Sequence, residues 1–221
     1  MSVEKAGIGN SSFIGAYAIA TDLFTILSSR ATISEEKLIR DTLETKVVRS
    51  TVDGSSLVGI YTVANSNGIL LPEIADRSEI SNLKAQLEEV NISVIRTDLN
   101  ALRNNILAND KVAFINPEYS RKEAKEIEDT LGVEAVRMDI CGYSTVGASN
   151  VLTNKGMVVS GELKEDEEKV IKQFSSSVSQ STANMGASSI GLCTIANSNG
   201  MVVGYETTGF ELVRLSEGLD L

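Results

Sequence analysis

The sequence has no histidine and no tryptophan, and only two cysteines and two prolines among its 221 residues. The missing histidine excludes whole mechanisms, because a catalytic triad built on serine or cysteine needs an imidazole that titrates near neutral pH. Catalytic zinc sites also depend largely on histidine ligands. We therefore expect no catalytic residue, no metal site and no cofactor.

Disulfides and membrane segments are not expected either. Cys141 and Cys193 lie far apart and form no CxxC pair, which fits a reducing compartment better than a disulfide framework. No run of roughly 18 or more apolar residues occurs, and no charged segment followed by a hydrophobic one resembles a signal peptide. The sequence predicts a cytoplasmic protein without a membrane contact.

Basic residues are also fewer than acidic ones. The 20 Lys and Arg and the 30 Asp and Glu give a net charge of −10. Nonspecific binding to nucleic acid comes from Lys and Arg that displace counterions, so any contact with RNA should be local and limited. The 42% of hydrophobic residues is enough to bury a core.

An internal repeat organises the chain. Residues 59–68, GIYTVANSNG, return almost unchanged as GLCTIANSNG at 191–200, and weaker copies lie between and before them. The anchors of the five copies are Ala20, Ala64, Ala108, Thr153 and Ala196. Their spacings of 44, 44, 45 and 43 residues indicate five copies of one unit that fill the chain.

Each unit reads as strand, strand, helix, strand. Turns such as Asn-Ser-Asn-Gly tolerate positive φ and predict a tight hairpin between the first two strands. The helix starts have capping-box spacing at Asp76 with Glu79, Ser120 with Glu123, and Thr208 with Glu211. A third strand follows at 46–49, 93–96 and 134–137.

The last unit ends after its helix, while residues 3–8 precede the first hairpin with no helix before them. The simplest arrangement lets this N-terminal strand complete the last blade and close a ring, which removes exposed sheet edges. We therefore predict an α/β fold: a five-bladed α/β propeller with pseudo-five-fold symmetry from repeats of about 44 residues, as a single domain over 1–221.

Several motifs carry a resemblance to a known family. They are the Ala-Asn-Ser-Asn-Gly turns, GSSLVG at 54–59, TVGA at 145–148, TNKG at 153–156 and TTGFEL at 207–212. In combination, over essentially the whole chain, the sequence resembles the archaeal translation initiation factor 6 family. The resemblance implies a pentein-type propeller without catalysis, which binds the large ribosomal subunit at its intersubunit face. Such a factor keeps the small subunit from joining and acts in initiation and large-subunit biogenesis.

The resemblance also implies a binding face, where each inner strand begins. Counting five residues back from each turn gives Ala16, Ile60, Asn104, Ser149 and Leu192 as candidate ribosome-binding residues. Asn104 is the principal candidate, and its neighbour Arg103 stands where the family often has glycine. The resemblance implies a ribosomal protein as the chief partner, and the acidity of the chain supports this and a limited contact with rRNA. We also expect a monomeric factor.

Two alternatives stay open at this point. Pentein propellers include guanidine-modifying enzymes, such as deiminases and amidinotransferases, and Cys193 on a predicted inner strand could be joined by Asp22, Asp110 and Asp139. The absence of histidine and of a basic neighbour disfavours that reading. A scaffold for some other partner is the second alternative. The acidic run at 165–168 is expected to be a solvated helix turn without a metal.

Overall fold

The computed structural model describes residues 2–221, which form five three-stranded sheets around a central axis. In each sheet the inner strand is antiparallel to the middle strand, and the middle strand is parallel to the outer one. The sheets, from inner to outer strand, are β2 (Ala18–Ala20), β3 (Phe24–Ser28), β4 (Lys46–Ser50); β5 (Val63–Ala64), β6 (Gly68–Pro72), β7 (Asn91–Ile95); β8 (Ile106–Ala108), β9 (Val112–Ile115), β10 (Glu134–Arg137); β11 (Asn150–Leu152), β12 (Gly156–Val159), β13 (Ser177–Gln180); and β14 (Thr194–Ala196), β15 (Gly200–Gly204), β1 (Ser2–Ala6).

The chain start completes the last blade. β1 pairs in parallel with β15, from Ser2 opposite Gly200 to Ala6 opposite Gly204. This pairing occupies the position of the outer strand that the fifth repeat lacks. The predicted five-bladed α/β propeller is confirmed in its strand order, its hairpins and its third strands.

Helices of two kinds connect the strands. In chain order they are α1 (Ile33–Leu43), α2 (Val58–Tyr61), α3 (Arg77–Gln86), α4 (Leu102–Asn105), α5 (Arg121–Leu131), α6 (Val146–Ser149), α7 (Glu165–Ile171), α8 (Ile190–Cys193) and α9 (Gly209–Leu219). The odd-numbered helices follow the middle strands; α1, α3, α5 and α7 join a middle strand to an outer strand, and α9 is the last element of the chain. The even-numbered helices are single turns that precede the inner strands, and a 3-10 turn at Ile14–Ala16 takes this place in the first blade.

The apolar core lies between neighbouring blades. Phe24 of β3, Ile69 of β6 and Leu83 of α3 share one buried cluster, so two adjacent sheets close over the helix that lies between them. The other clusters repeat this arrangement around the ring. Among residues 2–221, no helix is both long enough and apolar enough to cross a bilayer.

The repeat is more regular than its sequence suggests. The hairpin in each blade is closed by a backbone N–H donated from Thr21, Asn65, Asn109, Thr153 or Asn197 to the carbonyl three residues later. These donors are spaced by 44 residues throughout. The predicted anchor at Thr153 is therefore wrong by one residue, because Thr153, and not Asn154, occupies the place of Asn65.

A glutamate at the third position of each long helix also recurs every 44 residues. The five are Glu35, Glu79, Glu123, Glu167 and Glu211. Each carboxylate accepts a backbone N–H from its own N-cap residue, at 2.6 to 2.9 Å. The three predicted capping boxes are confirmed, and Thr32 with Glu35 forms a further one.

In four of the five blades, the same carboxylate also accepts a backbone N–H from the tight turn that leads to the ring. Glu79 accepts the N–H groups of Asp53 and Gly54, both at 2.9 Å, and both residues have left-handed φ of 52° and 70°. Glu167 accepts from Cys141 at 3.4 Å and is only 7% exposed. The expectation of a fully solvated acidic run is therefore wrong at Glu167, whose hydrogen bonds compensate for its burial.

Among these five glutamates, Glu211 has the largest shift of its carboxyl pKa. Burial raises the pKa of this carboxyl, but hydrogen bonds from the backbone of Thr208, the hydroxyl of Thr182 and the backbone of Gly186 outweigh it and lower the pKa to about 2. The ordinary value is 4.5. A pKa lowered by folding means that the ionised form stabilises the native state above the unfolded pKa.

We predict that stability falls as the pH drops from about 4.5 to about 2, by on the order of 3 kcal/mol from Glu211 alone. Glu211→Gln should lose most of that free energy of unfolding at pH 7 and flatten this part of the pH profile. Urea unfolding at several pH values measures both. Glu217→Gln, at an exposed position of the same helix, is the matched control; equal profiles for the two variants would contradict the assignment.

The single-turn helices approach one another closely at the axis. A Cβ added to a ring glycine would clash with a neighbouring backbone carbonyl: Gly15 with Gly191, Gly59 with Gly15, Gly147 with Arg103, and Gly191 with Gly147. These glycines follow the 44-residue repeat. Arg103 occupies the corresponding position in the third blade. At the four glycines, only the absence of a side chain allows this spacing of the backbones.

We predict that Gly191→Ala lowers the free energy of unfolding by about 1–3 kcal/mol, because its methyl group would have to displace backbone. Gly209→Ala is the control, since Gly209 begins α9 with open space where the Cβ would go. Alanine there should leave stability unchanged or slightly increased. Denaturant unfolding that shows equal stability for both variants would refute the close-packed ring.

Candidate functional site

The propeller has two different ends. We call the first the ring face: the 3-10 turn at Ile14–Ala16, the helices α2, α4, α6 and α8, and the loops 11–13, 55–57, 99–101, 143–145 and 187–189 that precede them. The five turns pack on one another in cyclic order. The opposite end, the hairpin face, consists of the turns 21–23, 65–67, 109–111, 153–155 and 197–199. The inner strands run from the first face to the second.

The hairpin face is tied together by its own polar groups. The side-chain amide of Asn154 donates to Asp22 at 2.8 Å and to Asp110 at 2.6 Å. Ser66 and Ser198 donate to the same two carboxylates, each at 2.8 Å. These groups therefore hydrogen-bond to one another and hold neighbouring blades together. A structural role accounts for their presence at the hairpin face.

Each predicted site residue lies in the ring face, in a single-turn helix and not at the start of a strand. Ala16, Ile60, Asn104 and Leu192 share one repeat position, directly after the ring glycine or Arg103. Ser149 is out of step by one residue because of the shifted anchor, and Ala148 holds the equivalent place. Their part in binding stays a prediction.

Burial separates the candidates. Ala16, Ala148 and Ser149 are buried, at 7%, 9% and 6% exposure. Ile60, Asn104 and Leu192 are partly exposed, so these three can contribute side-chain surface to a partner. The candidate surface is therefore carried by the second, third and fifth blades.

Asn104 has an unused polar atom. Its backbone N–H donates to the carbonyl of Ala101 at 3.0 Å, which closes the helical turn. Its side-chain oxygen Oδ1 is buried and has no hydrogen-bond partner within the described residues. A turn-forming role for the side chain would require such a partner, so the local structure does not explain why this position is an amide.

Exposed apolar residues lie in and beside the ring-face loops, and sequence reasoning missed them. Phe13 is 42% exposed, Tyr143 is 40% exposed and Met185, two residues before the fifth loop, is 76% exposed. The loops of the first and fifth blades are joined by the amide of Asn184, which donates to the carbonyl of Ser12 at 2.8 Å. No periodic signal marks these residues, because they occupy different positions in their repeats.

The axis of the propeller is nearly closed. Small residues of the inner strands, including Ala18, Ala64 and Ala108, line a cavity of about 20 Å³, which is room for one water molecule or ion. Arg103 and Thr194 also line it. Burial lowers the pKa of Arg103 to about 10, so its guanidinium stays charged at neutral pH. Sites for organic ligands are usually several hundred Å³, and this cavity does not suit one.

The residues of the enzyme alternative do not come together. Cys193 ends α8, not an inner strand as predicted, and is fully buried in an apolar cluster with Ile190 and Leu215. Burial raises the pKa of its thiol to about 12. Asp22 and Asp110 lie at the hairpin face, and Asp139 is exposed next to a tight turn. No cluster of three potential metal-binding side chains occurs in residues 2–221.

We predict that the Cys193 thiol is unreactive in the native protein, since at pH 8 a pKa of about 12 leaves roughly one part in 10,000 as thiolate. The Cys141→Ser variant isolates this thiol, because the chain has only two cysteines. Ellman's reagent should label it only after unfolding in denaturant. Rapid labelling of the folded variant, or turnover of arginine that Cys193→Ser abolishes, would revive the enzyme alternative.

The family model and the curated relatives match nearly the whole chain. Residues 3–218 match the eIF-6 family. The chain is 40% identical to the protein of Pyrococcus abyssi named translation initiation factor 6, across 100% of both chains. It is 41% identical to the protein of the same name from Picrophilus torridus, over 98% of this chain and 99% of that one. Among solved structures, DDAH from Pseudomonas aeruginosa, a cysteine-to-serine mutant with citrulline, matches with a TM-score of 0.46 and 11% identity, over 76% of this chain and 68% of that one.

Proposed function

The chain belongs to the eIF-6 family, and on that premise we propose that it is a translation initiation factor that binds the large ribosomal subunit at its intersubunit face and prevents the small subunit from joining. The observation that carries this proposal is the match to relatives of that name over the whole propeller. We further propose a monomeric cytoplasmic factor that acts by occupying a surface and not by catalysis.

The ring face is the proposed docking surface. Ile60, Asn104 and Leu192 occupy one repeat position around the axis and are partly exposed there. The backbone around them is held by the close packing at the ring glycines and by the glutamates beneath the tight turns. A surface whose backbone is fixed before binding loses little entropy on docking, which favours tight association.

The distribution of charge supports the same face. The loops and single turns of the ring face contain one charged residue, Arg103, although the chain has 50 residues that carry charge. Asp53, Asp98 and Asp139 precede the loops in sequence but lie outside them. Glu206 also lies outside the loops, and its carboxylate accepts a hydrogen bond from the Ser12 hydroxyl at 2.6 Å, which ties this charge to the edge of the face. A neutral docking face lets an acidic protein approach a surface surrounded by rRNA phosphates without repulsion at the contact itself.

A ribosomal protein is the proposed chief partner. The centre of a protein interface is depleted in charge and enriched in apolar and aromatic side chains, whereas an RNA contact needs several Lys or Arg residues. Phe13, Tyr143 and Leu192 provide apolar surface on the ring face, and a single arginine provides little for phosphates. Contact with rRNA is therefore limited to the rim.

Prevention of subunit joining needs no further device. A rigid body seated on the intersubunit face occupies space that the small subunit requires, so inhibition follows from affinity and position alone. The factor must then be displaced before initiation, and the propeller offers no internal source of energy for that step. Release falls to an external agent.

Co-sedimentation and light scattering test the proposal. At physiological salt the protein should sediment with isolated large subunits and not with small subunits. It should also reduce the rise in light scattering when small subunits are added, in proportion to its occupancy. A protein that binds neither subunit, or that binds the large subunit without affecting association, would refute the anti-association function and favour a scaffold for another partner.

We predict that Asn104→Arg weakens large-subunit binding by roughly tenfold or more, because a long charged side chain at the interface centre must be desolvated or displaces the partner. Thermal stability should change little, since the Asn104 side-chain oxygen has no partner to lose. Leu23→Arg, at a 61% exposed position of the hairpin face, is the matched control and should bind normally. Equal weakening by both substitutions, or a large loss of stability in Asn104→Arg, would remove Asn104 from the interface.

A further inference from the structure

Arg103 breaks the five-fold pattern at the axis. The other four positions of its class are glycines, whose hydrogen faces a neighbouring carbonyl. At the fifth position the chain instead places a guanidinium that lines the axial cavity. The Arg103 side chain is not needed to close the ring, because the other four blades close it with glycine at this position.

The guanidinium has an incomplete set of partners. Its Nη1 donates to the carbonyl of Gly147 at 2.6 Å, and no other hydrogen bond or ion pair of Arg103 occurs within the described residues. Guanidinium offers five N–H donors. Since no anionic partner of Arg103 occurs within the described residues, the guanidinium leaves an unbalanced positive charge at the cavity.

A second unpartnered group faces the same space. Thr194 is 2% exposed, lines the cavity and has a hydroxyl oxygen without a hydrogen-bond partner within residues 2–221. A hydroxyl can donate to an anion as well as to a carbonyl. Arg103 and Thr194 come from the third and fifth blades, so donors from two blades line one small cavity.

No carboxylate of the channel is available to balance the charge. Asp22 and Asp110 line the channel at its hairpin end, where Asn154, Ser66 and Ser198 donate to them. The other residues that line the cavity around Arg103 are uncharged, with Val63, Ala108 and Val151 as examples. A ligand that enters must therefore bring the negative charge itself.

From this geometry we propose that the axial cavity binds one small monovalent anion, of the size of chloride, between the Arg103 guanidinium and the Thr194 hydroxyl. A cavity of about 20 Å³ has room for one such ion. The anion neutralises the guanidinium and joins the third blade to the fifth across the axis. It is a structural ligand, independent of ribosome binding.

Bromide diffraction tests the location. Crystals grown with sodium bromide should show an anomalous peak between the Arg103 guanidinium and the Thr194 hydroxyl, and crystals of Arg103→Gly should not. The variant introduces the residue that the other four repeats already carry, so the ring should still close. A cavity that contains water alone in the wild type would overturn the proposal, and a peak that persists in Arg103→Gly would identify an adventitious ion only.

Thermal unfolding tests whether the anion matters in solution. Replacing sodium gluconate by sodium chloride at equal ionic strength should raise the melting temperature of the wild type by about 2–4 °C, as expected for a ligand that binds only the folded state. The shift should vanish in Arg103→Gly and shrink in Thr194→Val. Thr62→Val, at the same repeat position but away from the cavity, should keep it.

Because each variant is compared with itself in two salts, differences in basal stability cancel. Equal melting temperatures of the wild type in the two salts would overturn the proposal, as would an undiminished shift in Arg103→Gly. Subunit binding provides an independent control. Loss of the chloride shift with normal subunit binding in Thr194→Val supports a site separate from the proposed function.

Discussion

The close approach of five backbone turns around one axis is the constraint on which the rest of this molecule depends. Each turn presents a glycine, or in one blade Arg103, to the carbonyl of the turn beside it. A single methyl group at Gly15, Gly59, Gly147 or Gly191 would overlap that carbonyl, so the diameter of the ring is set by backbone contacts. The axial cavity is too narrow for an organic ligand. The residues that follow Gly59 and Gly191, Ile60 and Leu192, are partly exposed on the ring face.

The glutamates at 44-residue spacing connect this ring to the outer layer. Glu79 caps α3 and binds the left-handed turn at Asp53 and Gly54, which leads into α2. One ionised side chain thus sets where a long helix starts and how the chain enters the ring. In the four blades where the glutamate also binds a tight turn, one carboxylate links the start of the long helix to the turn that leads into the ring.

Local patterns in the sequence predicted the hairpins, the long helices and the third strands, since capping spacing and apolar periodicity act within a few residues. The single-turn helices could not be found in this way, because four residues are too few to show a period. Asn154 was aligned with Asn65 by residue type, whereas the backbone bond from Thr153 to Gly156 sets the true register. Glu167 looked solvated because glutamate usually is; only the fold brings the N–H of Cys141 to it. The exposed Phe13 and Met185 depend on loop conformation, which no short-range rule supplies.

The central claim is that the ring face, neutral and fixed in shape, docks on a ribosomal protein at the intersubunit side of the large subunit. A cryo-EM structure of the protein bound to purified large subunits tests it most directly. The account predicts density with Ile60, Asn104 and Leu192 against a ribosomal protein, the hairpin face exposed to solvent and rRNA touching only the rim. A complex in which the hairpin face or the outer helices contact the subunit, or in which rRNA covers the ring face, would contradict it.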